Sequence, residues 1–286
     1  MKFGVCGDVE VAVRAQALGY DFAEWNVAGL LQPRAAEAEF ERGCEAVRGR
    51  GVRYAVLNCF VPGDLKITGP EADLGRLCDY VGTVFARARR AGVETIVFGS
   101  GGARRVPEGW PAERAWAQLV EFGAMLAPLA QAQGVTVVVE PLNRAECNVL
   151  NTVRESAELV RAVSHPHLRL LVDAFHLLRD GDAVADVERF APLLAHVHIA
   201  TEAHRLAPAA EPCDFKPFFD ALARGGYKGR VSIEATIRDP AVDLPAALAE
   251  MKRLAPADDP ARRVPPPREA GFVPISAGSF FPDIRL

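Results

Sequence analysis

Short runs of apolar and β-branched residues alternate along the chain with longer segments whose apolar residues recur at helical spacing. The eight runs predicted as strands cover residues 2–6, 21–25, 53–58, 95–100, 135–140, 168–173, 196–200 and 230–234. The helices predicted between them cover residues 9–18, 34–48, 74–90, 112–133, 153–163, 215–224 and 244–253. Several strands are apolar almost throughout, which is typical of parallel strands covered on both faces. The pattern therefore predicts a parallel sheet enclosed by helices.

Strict alternation of strands and helices is compatible with an open, doubly wound sheet or with a closed (β/α)₈ barrel. Eight units favour the barrel, for which about 250 residues is a typical length. We therefore predict that residues 1–255 form one α/β domain, a (β/α)₈ TIM barrel. Residues 256–286 form a proline-rich C-terminal extension, in which a helix or a core strand is not expected. Because this arm carries Phe272, Phe280 and Phe281, we expect it to pack on the barrel or on a neighbouring subunit.

The amino-acid composition argues against some classes of binding partner. The chain has 33 basic and 37 acidic residues, a net charge of −4, and no basic cluster, so we do not expect nucleic-acid binding. We expect no membrane partner, because no apolar stretch is long enough to span a bilayer. Acidic Asp8 and Glu10 stand where a signal peptide would be apolar, so a cytoplasmic location is expected. The six cysteines include no CxxC pair and are predicted to be reduced thiols.

Four polar side chains mark the ends of the last four predicted strands: Glu140, Asp173, His198 and Glu234. In a barrel these ends meet at one rim, where the active site lies. Three carboxylates placed together raise one another's pKa unless a cation lies among them. Three oxygen donors and one nitrogen suit Mn²⁺, with Mg²⁺ or Co²⁺ as alternatives. Each acid alone could instead cap the next helix, and neighbouring His196 is predicted to be structural. The coincidence of four consecutive strand ends favours a site for one divalent metal ion.

Several segments resemble a known family. They are EPLNRAE (140–146), VDAFH (172–176), HVHIA (196–200), SIEA (232–235), NCFVPGDLKITGP (58–70) and VFGSGGARRVPEG (97–109). These segments are similar to the xylose isomerase-like barrels of the sugar phosphate isomerase/epimerase family, which include the tagatose and psicose 3-epimerases. The resemblance covers about residues 1–255 and implies a metal-dependent isomerase or epimerase that acts on a sugar or sugar phosphate. A homo-oligomer is also expected.

The resemblance implies a role for each of the four strand-end residues. Glu140, Asp173, His198 and Glu234 match the family's metal ligands, and Glu140 and Glu234 also match its acid/base pair. The implied reaction moves a proton α to a ketose carbonyl through an enediolate.

Further positions match residues that bind substrate. His176 and Glu146 correspond to positions that contact substrate oxygens. The family commonly has an arginine six residues after the metal-binding histidine, where this chain has His204. One inserted residue would give that role to Arg205, and this is the assignment that we predict. Lys66, in the loop after the third strand, is a further substrate-binding candidate.

Other functions are compatible with parts of the same pattern. A dehydratase of the inosose or dehydroshikimate type would use the same rim and the same proton abstraction. A trinuclear phosphodiesterase of the endonuclease IV kind needs additional histidines, and residues 1–164 contain none. A non-catalytic binding module would not need the complete ligand set. The FGSGGAR segment lacks the third glycine of a dinucleotide fingerprint, but its glycines could bind a phosphate beside Arg104 or Arg105. We favour structural roles for these arginines.

Overall fold

The computed structural model describes residues 1–256. Eight parallel strands, paired in chain order and closed by a β1–β8 pair, form the predicted barrel. The strands are β1 Lys2–Cys6, β2 Phe22–Asn26, β3 Tyr54–Asn58, β4 Thr95–Phe98, β5 Thr136–Val139, β6 Leu168–Asp173, β7 Leu194–Ile199 and β8 Arg230–Ile233. The predicted bounds of β1 and β6 are confirmed, and those of the other strands shift by one or two residues at one or both ends. The prediction for the C-terminal arm concerns residues 256–286, of which 257–286 lie outside the described part.

Helices cover the outside of the barrel. They are α1 Val9–Ala17, α2 Val27–Leu30, α3 Glu37–Gly49, α4 Leu74–Ala91, α5 Gly101–Arg104, α6 Ala112–Ala132, α7 Val153–Val163, α8 Ala174–Arg179, α9 Val184–Phe190, α10 Lys216–Arg224 and α11 Asp243–Leu254. The seven predicted helices are present, whereas the short helices α2, α5, α8 and α9 were not predicted because they are too brief to show a helical period. Within residues 1–256 no helix combines the length and apolar character needed to cross a bilayer.

Helix ends follow local side-chain chemistry. The Asp73 carboxylate accepts a hydrogen bond from the backbone N–H of Arg76 and so caps the start of α4. The same helix ends at Gly92, whose φ of 78° belongs to the left-handed region that glycine adopts at low cost. Thr152 caps α7 in the same way, through the N–H of Glu155. These caps fix both ends of α4 and the start of α7, two helices that the sequence pattern also predicted.

The barrel interior has an apolar lower layer and a polar upper layer. A separate apolar cluster contains Val138 and Leu171, and Phe22 packs against it. Because side chains alternate along a strand, these two residues share the inward face with Glu140 and Asp173, two positions further on. A Cβ at Gly4 would overlap the ring of Phe22, so glycine is needed there to leave room for this ring. The apolar layer supports the polar residues at the carboxyl ends of the strands.

Candidate metal centre and active site

The structure brings together the four strand-end residues that the sequence singled out. Glu140 directly follows β5, Asp173 ends β6, His198 lies in β7, and Glu234 directly follows β8. One potential ligand atom from each residue lies within 4.8 Å of those of the other three. The Nδ1 atom of His198 is 2.9 Å from Glu140 Oε1 and 3.5 Å from Glu234 Oε2. Three carboxylates and one imidazole therefore converge at the rim of the barrel.

Asp173 shows that the cluster fits a cation. Its Oδ1 atom accepts a hydrogen bond of 2.7 Å from the N–H of Phe175 and so caps α8. Its Oδ2 atom is buried without a hydrogen-bond partner among the described residues. An unsatisfied buried oxygen of this kind is costly, and a divalent cation held by the four residues would satisfy it. The alternative of a simple helix cap is thus correct for one oxygen and leaves the other free for a metal.

A fifth carboxylate, which is not among the predicted site residues, lies beneath this cluster. Glu24 in β2 is fully buried and lies 3.0 Å from Nε2 of His198 and 3.0 Å from Nε2 of His196. It also accepts a hydrogen bond of 2.7 Å from Ser232 Oγ. Because an ionised carboxylate only accepts, the His198 ring carries a hydrogen on Nε2 and presents Nδ1 to the cluster. The available signal was an acid in the middle of β2, between the apolar residues Ala23 and Trp25.

Electrostatics within this group are strongly perturbed. Burial alone would raise the pKa of Glu24, but His198 and His196 lower it well below its ordinary value. Burial would likewise lower the pKa of His198, and the glutamates around the ring instead raise it well above its ordinary value. Burial and the charge of Glu234 raise the pKa of Glu140. The pKa of Glu234 is lowered, because His198 and Arg205 outweigh the effect of burial. The two glutamates of the cluster are therefore not equivalent.

A second set of potential ligands overlaps the first. It combines Cys6, Glu24, His198 and Glu234. The oxygens of Glu24 already accept three hydrogen bonds, whereas an oxygen of Asp173 has no partner within residues 1–256. Burial and the neighbouring Glu24 also raise the pKa of the Cys6 thiol well above its ordinary value, which disfavours the thiolate. The first set, with three carboxylates and one imidazole, is the better candidate for a metal centre.

Arg205 lies at the mouth of the cluster. Its Nη2 donates to Glu234 Oε2 at 2.6 Å, and its Nη1 is 3.4 Å from Glu146 Oε1. The guanidinium carbon stands 4.7 Å from the centre of the Phe175 ring. His204, by contrast, has a side chain that is 68% exposed and directs Nδ1 to Glu211 at 2.6 Å. The geometry brings Arg205, and not His204, to the candidate site.

Three basic residues in the loops after β3 and β4 differ in their burial and in their hydrogen-bond partners. Lys66 donates to the carbonyl oxygen of Gly102 at 3.0 Å, and no described contact links it to the metal cluster. Arg104 is fully buried and donates to the carbonyl oxygens of Phe98 and Glu140, so it has a structural role. Arg105 donates to the carbonyl oxygen of Glu146. These contacts favour the structural interpretation of the arginines over phosphate binding.

Comparison with known proteins agrees with this architecture. Residues 12–256 match the family model described as xylose isomerase-like TIM barrel. The chain is 32% identical over 124 residues to a D-psicose 3-epimerase of Ruminiclostridium cellulolyticum, a match that covers 43% of this chain and 42% of that protein. It is 26% identical over 240 residues to a putative hydroxypyruvate isomerase of Streptomyces coelicolor, covering 79% and 84% of the two chains. The alignment to the psicose epimerase thus spans less than half the length of that relative.

A solved structure supports the fold independently. The 3-keto-D-glucoside 4-epimerase of E. coli superposes with a TM-score of 0.74 over 88% of this chain and 99% of that chain. Its sequence identity is 23%, so this likeness shows the fold alone. The family match, which covers most of the sequence, shows more: this chain belongs to the xylose isomerase-like TIM barrel family.

Proposed function

We propose that this chain is a divalent-metal-dependent sugar isomerase or epimerase, with Mn²⁺ as the preferred metal. It moves a proton α to a ketose carbonyl, and Glu140 and Glu234 act as the acid/base pair. The observation that carries this proposal is the pair of glutamates beside the same ring nitrogen of His198, in a cluster whose Asp173 oxygen lacks a partner. The 3-epimerase and hydroxypyruvate isomerase relatives support the choice of a carbonyl-bearing sugar or sugar-derived substrate.

The metal would be held by Glu140, Asp173, His198 and Glu234. When bound, it would supply Lewis-acid polarisation of the substrate carbonyl, an effect worth several kcal/mol. The residues do the proton transfer. Glu140 and Glu234 follow strands that are three apart around the ring, so their carboxylates reach the cluster from different sides. One can take the α-proton while the other returns a proton to the opposite face, which inverts the carbon.

The remaining residues at the mouth orient the substrate. Arg205 has a fixed fork of donors that already contacts Glu234, and it can bind a substrate oxygen that becomes more negative as the proton leaves. His176 is buried next to Asp173, with Nε2 at 3.5 Å from Asp173 Oδ2. Glu146 contacts Arg205 at the rim and can accept a substrate hydroxyl. Lys66 stays a candidate of lower rank, because its contact is with a loop carbonyl.

Deuterium incorporation tests the paired glutamates. Glu140→Gln and Glu234→Gln keep the size of each side chain but remove the base. At saturating metal, each variant should lose epimerisation by about 10² to 10⁴-fold, the usual contribution of a general acid or base. The glutamate that remains should still exchange the α-proton of the epimer presented to it. Each variant should therefore incorporate solvent deuterium into one epimer, and the two variants should label opposite epimers.

The control is Asp239→Asn, because Asp239 forms hydrogen bonds in the turn before α11 and, within residues 1–256, none with the cluster. Its epimerisation rate should equal that of the parent. If both glutamine variants label the same epimer, the reaction uses one base and the two-base proposal is wrong. If the parent exchanges the α-proton and then loses a hydroxyl group, the enzyme is a dehydratase on the same rim.

A further inference from the structure

Asn143 lies in the loop after β5, is 1% exposed, and has a side-chain amide whose orientation the structure determines. The Oδ1 atom accepts hydrogen bonds from the backbone N–H groups of Ala145 at 3.1 Å and Glu146 at 3.2 Å. Backbone N–H groups only donate, so the amide oxygen must face them and the amide nitrogen must face the other way. The usual ambiguity between the two ends of an asparagine is thereby removed.

The amide nitrogen of Asn143 faces His176. Its Nδ2 atom is 2.8 Å from His176 Nδ1 and 3.0 Å from Glu146 Oε1. The backbone N–H of Asn143 donates to the same His176 Nδ1 at 3.2 Å. Two donors thus converge on this ring nitrogen, which must act as an acceptor. The neutral His176 ring then carries its single hydrogen on Nε2.

The hydrogen on Nε2 faces the candidate active site. His176 is 1% exposed, and its Nε2 atom has no hydrogen-bond partner within the described part of the chain. The neighbouring Asp173 Oδ2, at 3.5 Å, is also without a partner there. A buried N–H that is held in place and left unpaired beside the metal cluster is suited to donate to a ligand oxygen.

We infer that Asn143 is a positioning residue, which holds His176 in the Nε2–H form so that the ring donates a hydrogen bond to an acceptor oxygen of the substrate. This inference rests on the proposed function. It requires that the substrate oxygen in contact with His176 accepts a hydrogen bond. The carbonyl oxygen, which gains negative charge as the α-proton leaves, is such an acceptor. Asn143 also joins this ring to the mouth of the site, because Glu146 contacts both Asn143 and Arg205.

The test replaces the amide nitrogen of Asn143 with an oxygen. Asn143→Asp keeps the shape and the oxygen that caps Ala145 and Glu146, but places an acceptor against His176 Nδ1. Asn148→Asp is the matched control, because the Asn148 amide also bonds through both ends, to the N–H and carbonyl of Val106, without touching His176. Both residues lie in the loop between β5 and α7, and each variant loses the donor end of one side-chain amide.

Nitrogen-15 NMR of the metal-free protein at alkaline pH, where an ordinary imidazole is neutral, gives the first readout. The parent and Asn148→Asp should show His176 with Nδ1 unprotonated and Nε2 protonated. Asn143→Asp should protonate Nδ1. A parent signal from the Nδ1–H form would refute the inference. This measurement does not require turnover, so it remains decisive even if the parent proves inactive on every ketose, a result that would count against the proposed function instead.

Steady-state kinetics give the second readout. Asn143→Asp should lower kcat by about 10- to 100-fold, the effect expected when an outer partner of an active-site histidine is lost. In a His176→Ala background, Asn143→Asp should have little further effect on kcat, because the two residues act as one unit. Asn148→Asp should retain the parental kcat in both backgrounds. An Asn143→Asp variant with parental kcat, or with the same loss in the absence of His176, would show that Asn143 does not act through this ring.

Discussion

Gly99 provides a way to move the carboxylate of Glu140, one half of the proposed acid/base pair, without disturbing the fold. A Cβ at this position would come much closer than 3.0 Å to Glu140 Oε2, a separation that real Cβ atoms essentially never show. The next atoms, Glu140 Cδ at 3.5 Å and Leu142 Cδ2 at 3.7 Å, are at ordinary distances. For the separation between this Cβ and Glu140 Oε2 to reach ordinary van der Waals contact, the oxygen must move away by about 1 Å. Gly99 is not among the residues with positive φ, so alanine adds no backbone strain. Gly99→Ala should therefore displace the Glu140 carboxylate and little else.

The expected effect on activity is large and the effect on stability is small. A displacement of about 1 Å at a reacting group can cost about 10²-fold, so we expect kcat/KM to fall by that factor. The free energy of unfolding should change by less than about 1 kcal/mol, because the overlap is with the end of a flexible side chain. Steady-state epimerisation and denaturant unfolding measure the two quantities.

The control is Gly82→Ala in α4, where a Cβ would meet nothing within 4 Å. It should add up to about 1 kcal/mol of stability, because alanine is the better helix former, and should not change activity. Parental kcat/KM in Gly99→Ala would refute the placement of Glu140 in the reaction. A loss of activity matched by an equal loss of folded protein would refute the argument that only the carboxylate moves.

Three further predictions concern the metal, the substrate and the opposite end of the barrel. Chelation should abolish turnover until Mn²⁺ is restored, and Asp173→Asn should lower the metal content measured by elemental analysis; unchanged content would remove Asp173 from the ligand set. Arg205→Ala should reduce kcat/KM by at least about tenfold, whereas His204→Ala should be silent; the reverse result would show that the alignment is wrong. Arg230 lowers the pKa of Glu94, so this carboxylate stabilises the folded chain above its unfolded pKa and less as the pH falls. Glu94→Gln should therefore flatten the acid limb of a plot of unfolding free energy against pH, and an unchanged limb would contradict this.

The strands and long helices were predictable because their signal is local. A buried parallel strand such as β6 is apolar over its whole length, and a long helix such as α4 repeats its pattern over several turns. The cluster of four could be predicted for a related reason. Once the barrel is assumed, the end of each strand has a known place, so Glu140 and Asp173 must approach one another. Their proximity is now observed, and their roles as metal ligands stay predictions.

The supporting residues could not be predicted in the same way, because their importance depends on contacts between distant parts of the chain. Glu24 is a single acid in a strand, and its partners His196 and His198 lie more than 170 positions away. Arg104 was one of many arginines until the fold buried it against the carbonyl oxygen of Glu140. The orientation of Asn143 depends on two backbone groups that only the folded loop supplies. Side-chain pairing across strands carries no periodic signal along the sequence.

Asp173 shows why a helix cap and a metal ligand are not competing assignments at a strand end. A carboxylate has two oxygens, and the α8 cap uses the oxygen nearest to the backbone N–H of Phe175. That hydrogen bond fixes the side chain and leaves Oδ2 facing Nε2 of His176. The cap therefore holds in place the oxygen that the metal would need. Because the side chain is already ordered, it would lose little conformational entropy when the metal binds. Asp173→Asn leaves the cap available through the amide oxygen, so a loss of metal in that variant with an intact fold would separate the two functions of one side chain.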